Sequence, residues 1–418
     1  MINKLKSLFL IILMSIPIHG QRTSTGLIPI SDLGSVLYKN FQGGLYLNGS
    51  NIRPAKHDSL GIEFSKQIKP LDKNGNVDSL LGKYVLLSIG MSNTTQEFSY
   101  FKTIADTNKN KSQNLIIIDG AQGGQTAAII SNPNANFWTV IEQRLAQAGV
   151  TSKQVAVCWL KEADANPTQA FPVHANTLTG ELIAVVNNIK QKFPNCMLVY
   201  CSSRTYGGYA TTSLNPEPFA YESGFSVKWL IEKQITGDPD VACTGNNPKA
   251  PWLSWGPYLW ADGIIPRSDG LIWLQTDFRS DDGTHPSANG QKKVAELLLN
   301  FFKTDVTAKN WFLKNPITSY HHPDRNLTPN DYQLHQNYPN PFNPSTIISY
   351  RLPVSSWVTL KVFDMMGREV TTLVNEYKQA GTYNCELRID NRELSSVIYF
   401  YTIKAGNFLK SAKMILLK

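Results

Sequence analysis

The sequence predicts an α/β protein, a doubly wound parallel sheet, followed by a small all-β sandwich domain. Three observations carry that reading. From residue 83 to about 305, short continuous apolar runs alternate with helical patterns, the order of strand–helix–strand units. The runs lack the polar alternation of a half-exposed strand, as expected when both faces are covered. After residue 335 the period changes to apolar–polar alternation broken by Gly367, Gly381 and Gly406, which marks half-buried antiparallel strands.

In chain order, the first element is a leader. Lys4 and Lys6 precede the apolar stretch 8–16, and Gly20 offers a small residue for cleavage, so residues 1–20 read as a signal peptide. The stretch is too short to span a bilayer comfortably and no later segment suits better, so no membrane span is expected after its removal. The main domain covers 21–305, with 21–82 as an N-terminal extension rich in turn formers. Within it, Asp72-Lys73-Asn74-Gly75-Asn76 lacks the closing Glu of a calcium loop and reads as a turn.

Strands are expected at 84–89, 115–118, 155–160 and 197–201, and helices at 137–148, 178–193, 225–235 and 292–303. Gly149 is a good stop for the first helix. In the last, Val294, Leu297, Leu298, Phe301 and Phe302 form one apolar face at helical spacing. Ligands gather at the carboxyl ends of strands in such a sheet, and Ser92, Gly124, Asp164 and Arg204 all follow strand ends. Residues 306–335 are polar and turn-rich and read as a linker. In 336–418, Val358, Leu360 and Val362, and again Tyr383, Cys385 and Leu387, alternate with polar residues as sandwich strands do.

Composition excludes some functions. The net charge of +8 comes without a basic block or basic helix stripe, so no nucleic-acid partner is expected. The five cysteines have no metal or framework spacing. Cys158, Cys196 and Cys201 fall in or beside apolar strands and read as buried free thiols. No His/Cys/Asp cluster has metal spacing, so neither metal nor cofactor is expected. The 9 Trp and 17 Tyr suit either a sugar-handling surface or a large core.

Chemistry concentrates in two segments. Gly90-Met91-Ser92-Asn93 directly follows the first strand, and Asp282-Gly283-Thr284-His285-Pro286 directly precedes the last helix. They offer a nucleophile, Ser92, a general base, His285, and a carboxylate, Asp282. A hydroxyl is a weak nucleophile until a base takes its proton, and the base needs a third group to fix its tautomer. His57 and His174 are rival bases, with a surface role expected for His174, and His321 and His322 fall in the linker. No Gly-x-Ser-x-Gly elbow is present.

On these residues the 83–305 region resembles the SGNH/GDSL hydrolase superfamily, whose sheet is flavodoxin-like. Gly90-Met91-Ser92-Asn93 is similar to its first block, in the Gly-x-Ser-Asn form of carbohydrate O-acetylesterases, and Asp282-Gly283-Thr284-His285 to its last, Asp-x-x-His. Asp119-Gly120-Ala121-Gln122-Gly123-Gly124-Gln125-Thr126 resembles the second block, which implies Gly124, or next Gly123, as an oxyanion donor beside the Ser92 N–H. The third block departs: Ala163 stands near the place of the family's donor Asn, leaving Asn166 or Lys161 from the same loop as substitutes. The tail resembles the C-terminal sorting domain of the type IX secretion system. The likeness runs through Gln336-Asn337-Tyr338-Pro339-Asn340-Pro341-Phe342-Asn343-Pro344, Val362-Phe363-Asp364 with Gly367-Arg368, Tyr399-Phe400-Tyr401 and the closing Lys413-Met414-Ile415-Leu416-Leu417-Lys418. Val397 replaces the family's usual Gly. This implies export, contact with the type IX machinery, and release or surface attachment after tail removal.

The resemblance implies a secreted serine esterase that removes acetyl or similar acyl groups from a polysaccharide or small ester through an acyl-Ser92 intermediate. Asn93, Arg204, Tyr206 and Trp260 are candidate substrate-binding residues, from loops 202–209 and 252–260 placed on the active face. Aromatic rings stack on sugars, and Arg204 suits an acidic sugar or sulfate; equally, the aromatics pack the loops and Glu222 pairs with Arg204. A non-catalytic glycan-binding or adhesion protein on the same scaffold is the alternative. A glycosidase using Glu162 and Asp164 is a third reading.

Overall fold

The computed structural model describes residues 22–314, 331–388 and 398–417. The leader, His321, His322 and Val397 lie outside them. Two compact units divide the chain at 317/318.

The first unit is built on a five-stranded parallel sheet. Its strands are β1 (Tyr84–Gly90), β2 (Leu115–Asp119), β3 (Val155–Lys161), β4 (Leu198–Ser202) and β5 (Trp252–Trp255), in the order β2-β1-β3-β4-β5. Successive side chains point to opposite faces, yet every residue of β1, β3, β4 and β5 is buried. Both faces are therefore covered, by α1 (Ala55–Gln67), α2 (Ser92–Asp106), α3 (Asn136–Gln147), α4 (Val173–Lys192), α5 (Phe219–Ile235) and α6 (Ala288–Thr304). In α6 the expected apolar face is real: Val294, Leu298 and Phe302 are fully buried, each worth about 1.5–3 kcal/mol of transfer free energy. Ser287 caps it, its hydroxyl accepting from the Gly290 N–H.

Four of the five strands fall where apolar runs placed them. The fifth does not. Trp252-Leu253-Ser254-Trp255 was expected in a loop on the active face and is instead the edge strand β5, paired with β4 and wholly buried. Its faces are closed by helices. Gly61 of α1 lets the Trp252 ring lie so close that a Cβ there would sit 2.3 Å from it. From α5, Gln234 accepts the Leu253 N–H at 2.7 Å.

The ends of this unit also differ from expectation. The N-terminal extension is part of the core: Ile30, Leu33 and Tyr46 are buried in it. The Asp262 carboxylate ties its start, accepting from Ser24 Oγ, the Thr25 N–H and Oγ, and the Gly26 N–H at 2.6–2.9 Å. Asp72 does cap a turn, taking the N–H groups of Asn74 and Asn76. At the other end the expected linker starts too early. After α6, a single turn, α7 (Lys309–Phe312), buries Trp311 and Phe312, and the Tyr84 hydroxyl donates to the Trp311 carbonyl at 2.6 Å. Aromatic burial, not polarity of the flanking residues, decides where the unit ends.

The second unit has β6 (Gln333–Leu334), β7 (Ser345–Leu352), β8 (Ser356–Phe363), β9 (Glu369–Lys378), β10 (Gly381–Arg388), β11 (Ile398–Ala405) and β12 (Phe408–Ile415). They form two antiparallel sheets, β9-β8-β11-β12 and β10-β7-β6. Inward residues of both sheets, among them Ile348, Tyr350, Leu360 and Ile403, share one core, so this unit is the expected small sandwich.

Candidate active site

The order β2-β1-β3 places a topological switch beside β1, where neighbouring crossovers depart in opposite directions and the carboxyl edge opens. Ser92 stands there. It follows β1 by one residue and opens α2, whose first-turn N–H groups have no helical acceptor. Gly90 makes the approach possible: a Cβ would lie 2.3 Å from the Lys161 carbonyl oxygen.

Ser92 Oγ lies 2.7 Å from His285 Nε2. On the other side of the ring, His285 Nδ1 lies 2.5 Å from Asp282 Oδ2. With Nδ1–H donated to the carboxylate, Nε2 is left to accept the serine proton. Asp282 Oδ1 also accepts the N–H groups of Thr284 and His285 at 2.8 and 2.9 Å. Partial burial alone would raise the Asp282 pKa; these donors and the ring outweigh it and hold the carboxyl below its ordinary value. The Asp-x-x-His spacing is therefore a turn in which one carboxylate fixes both backbone and imidazole.

The loop after β2 reaches the same place. Ser88 donates to Asp119 at 2.6 Å, the Gln122 N–H to the Gly90 carbonyl at 2.9 Å, and Arg144 to the carbonyls of Asp119 and Ala121. So held, the loop brings Gly123 to within 3.7 Å of the Ser92 side chain, measured from an added Cβ, while Gly124 sits at φ +72° with open space around it.

A cavity of about 100 Å3 lies over these groups, lined by Ser92, His285, Asn93, Gly124, Arg204 and Asn215, with Met91, Thr126, Ala165, Leu214 and Thr284. Of the candidates from the sequence, Ser92, Asp282, His285, Asn93, Gly124 and Arg204 are thus brought together. Others are not. Asn166 is exposed, and its Oδ1 accepts from Ser213 at 2.7 Å. Lys161 is committed to Glu97. Neither fills the place left by the buried Ala163. Two free donors belong to residues at the cavity, Asn93 Nδ2 and Arg204 Nε, both buried and without a partner; Asn93 is the one next to Ser92 in the chain.

Two aromatic candidates are corrected outright. Tyr206 and Trp260 are buried in the core, their polar tips satisfied by the Arg22 carbonyl and by Glu217 at 2.7 Å each. A ring sealed in the core has no face left for a sugar. Glu222 is no partner of Arg204 either: Tyr38 and Lys39 hold it at 2.7 and 3.0 Å. Asn215 was missed, since an Asn before a Pro signals only a turn.

The rival groups lie elsewhere. His57 stacks on Trp252 and bonds the Leu253 carbonyl at 2.7 Å. His174 is buried edge-on against Phe219 rather than on the surface. Glu162 and Asp164 do not line the cavity; Glu162 is buried, with its pKa pushed well up by burial. The described cysteines are free, with Cys158, Cys196 and Cys201 buried. Among the described residues no His/Cys/Asp/Glu group is arranged to hold a metal, and no helix is long and apolar enough to cross a membrane.

Residues 336–417 match the family described as the secretion system C-terminal sorting domain. The protein is therefore exported, to the cell surface or beyond, by type IX secretion. No curated protein matches the chain. Among solved structures it is similar to the periplasmic domain of a lipopolysaccharide acetyltransferase from Salmonella ser. Paratyphi A, at 13% identity over 59% of this chain and 94% of that one, with a TM-score of 0.30. It is also similar to a modular endo-β-1,4-mannanase from Cellulomonas fimi, at 10% identity over 77% of this chain and 58% of that one, with a TM-score of 0.19. Scores this low carry no argument about the first unit.

Proposed function

We propose that the first unit is a secreted serine ester hydrolase of SGNH type, which removes acetyl or similarly small acyl groups from carbohydrate. One observation carries the reading: the unbroken chain from Ser92 Oγ through His285 to Asp282 at the carboxyl edge of the sheet. A serine paired with a base that a carboxylate orients is an arrangement for acyl transfer. The places of Ser92, the Gly124 loop and the Asp282–His285 turn along the chain support the SGNH resemblance.

In this reading Ser92 Oγ attacks the ester carbonyl carbon as its proton passes to His285 Nε2. The carbonyl oxygen becomes an oxyanion, met by the Ser92 and Gly124 N–H groups and by Asn93 Nδ2 in place of the donor that Ala163 lacks. Each such donor is worth about 3–4 kcal/mol of barrier. Asp282 stabilises the imidazolium. Collapse breaks the bond to the alcohol, which leaves with the proton from His285. Water then repeats the sequence at the acyl-Ser92 carbonyl, giving the free acid and regenerating Ser92. The cavity of about 100 Å3 is smaller than the ~150 Å3 cavity that takes one benzene ring, which suits a short acyl group.

The test is hydrolysis of a chromogenic acetyl ester by the full chain, beside Ser92→Ala and His285→Ala, with fluorophosphonate labelling of Ser92. Activity and labelling lost in both variants establish the esterase. A folded protein that neither hydrolyses nor labels would turn the assignment to a glycan-binding surface protein on the same scaffold.

A further inference from the structure

Seven side-chain polar atoms among the described residues are buried with no hydrogen-bond partner, and three of them, Asn93 Nδ2, Arg204 Nε and Asn215 Oδ1, belong to residues lining the Ser92 cavity. Buried polar groups are nearly always satisfied, so such a convergence needs a cause. Arg204 is the costliest member. It is 5% exposed, and no described carboxylate forms an ion pair with its guanidinium.

The nearby carboxylates are already engaged. Glu97 holds Lys161, Asp282 holds His285 and two N–H groups, and Glu222 holds Tyr38 and Lys39. Glu217 accepts from the Gly207 and Tyr221 N–H groups and from Trp260. That leaves Glu162, one oxygen of which accepts the Ala163 N–H while the other has no partner. Burial pushes the pKa of that carboxyl up, and it forms no ion pair with Arg204. A buried guanidinium without an ion-paired partner is unfavourable, and here it lines the cavity that holds Ser92.

We propose that the ester cleaved at Ser92 carries a carboxylate, for which Arg204 is the counter-ion, and that Asn215 Oδ1 accepts a hydroxyl of the same substrate. The planar guanidinium matches a carboxylate with two parallel bonds. The orphan atoms are complementary in kind: Arg204 and Asn93 offer donors and Asn215 an acceptor, the set that an acidic sugar ester satisfies. The carboxylate has two possible sources, a uronic acid on the alcohol side or a dicarboxylic half-ester on the acyl side. The proposal rests on the esterase reading.

The experiment compares kcat/KM of the full chain for three matched substrates: an acetylated methyl galactoside, an acetylated methyl galacturonate, and a monosuccinylated methyl galactoside. We expect one carboxylated ester to exceed the neutral one by about ten- to a hundredfold, the range of a hydrogen-bonded charge, and which one identifies the source. In Arg204→Gln that ratio falls toward one, and Arg204→Lys keeps only part of it. Equal values for all three in the native protein overturn the carboxylate and leave the esterase standing. If none is hydrolysed, the esterase fails, and melting temperature reports on Arg204 separately: galacturonate or succinate should raise it in the native protein and not in Arg204→Gln. No rise in the native protein overturns the anion site as well.

Discussion

Lys161 and Glu97 meet in the core of the first unit, with Nζ 2.6 and 2.5 Å from the two carboxylate oxygens and neither side chain more than 1% exposed. Glu97 lies on α2, five residues after Ser92, and Lys161 ends β3. With the bond from the Thr94 hydroxyl to the Lys161 carbonyl at 2.8 Å, the pair clamps α2, which Ser92 opens, to the strand whose loop borders the cavity. Burial pulls the Lys161 amine down to about 8, against the opposing pull of Glu97.

Removing one partner should therefore cost far more than removing both. We expect Lys161→Met to destabilise the protein by about 3–5 kcal/mol, because Glu97 is left buried and uncompensated. The double variant Lys161→Met/Glu97→Leu should recover most of that loss. Denaturant unfolding of the three proteins reads it directly, and a double variant no more stable than the single one would sink the account.

In the proposed mechanism Asp282 acts through His285, and its removal can be separated from loss of the fold. In Asp282→Asn the ring loses the carboxylate that fixes its tautomer and stabilises its cation. We expect kcat for a simple acetyl ester to fall on the order of 10^3- to 10^4-fold with KM little changed. A fall of less than tenfold would show that another group orients His285.

The hydrogen-bonded trio of Ser92, His285 and Asp282 was legible because its signals are short and local: a Ser just past an apolar strand, and an Asp three residues before a His. The strands were legible because burial on both faces leaves a continuous apolar run. What sequence could not show was which aromatics are covered. Trp252 and Trp260 look alike in composition to rings on a sugar-binding loop, and only the pairing of β5 with β4 and the packing of α1 and α5 bury them. The same limit hid α7, where Trp311 and Phe312 sit among polar residues. Asn215 is the converse case, an ordinary turn residue until the fold carries it to Ser92.

Gly283 lies between Asp282 and His285, in the turn that carries the proposed base. Its φ is +61°, and a Cβ there would sit 1.9 Å from the Tyr209 carbonyl oxygen. Gly283→Ala must move backbone on one side or the other, so we expect a loss of about 2 kcal/mol or more together with a drop in activity, since Asp282 and His285 move with it. Gly270→Ala is the control: φ is +86° with nothing within 4 Å, so it should cost only backbone strain of about 1 kcal/mol and leave activity intact. Equal losses in the two variants would remove the clash from the explanation.

His57 gives the fold an acid sensitivity at a place that does not line the Ser92 cavity. Its ring is stacked on Trp252 and held by the Leu253 carbonyl. Burial lowers its pKa from 6.5 to about 4, with the Leu253 carbonyl opposing and Arg53 adding to the fall. The folded state thus disfavours the proton that the unfolded chain accepts near 6.5. Between about pH 4 and 6.5 the unfolded state binds more protons, so stability rises with pH through that window and is lost as pH falls through it. The full effect is at most about 3–4 kcal/mol, from 1.36 kcal/mol per unit. His57→Gln keeps a donor for Leu253 but cannot titrate. Denaturant unfolding between pH 4 and 7 should give a shallower dependence in the variant, the difference between the two curves cancelling the carboxylates they share. Parallel curves would mean that His57 is not the group that charges.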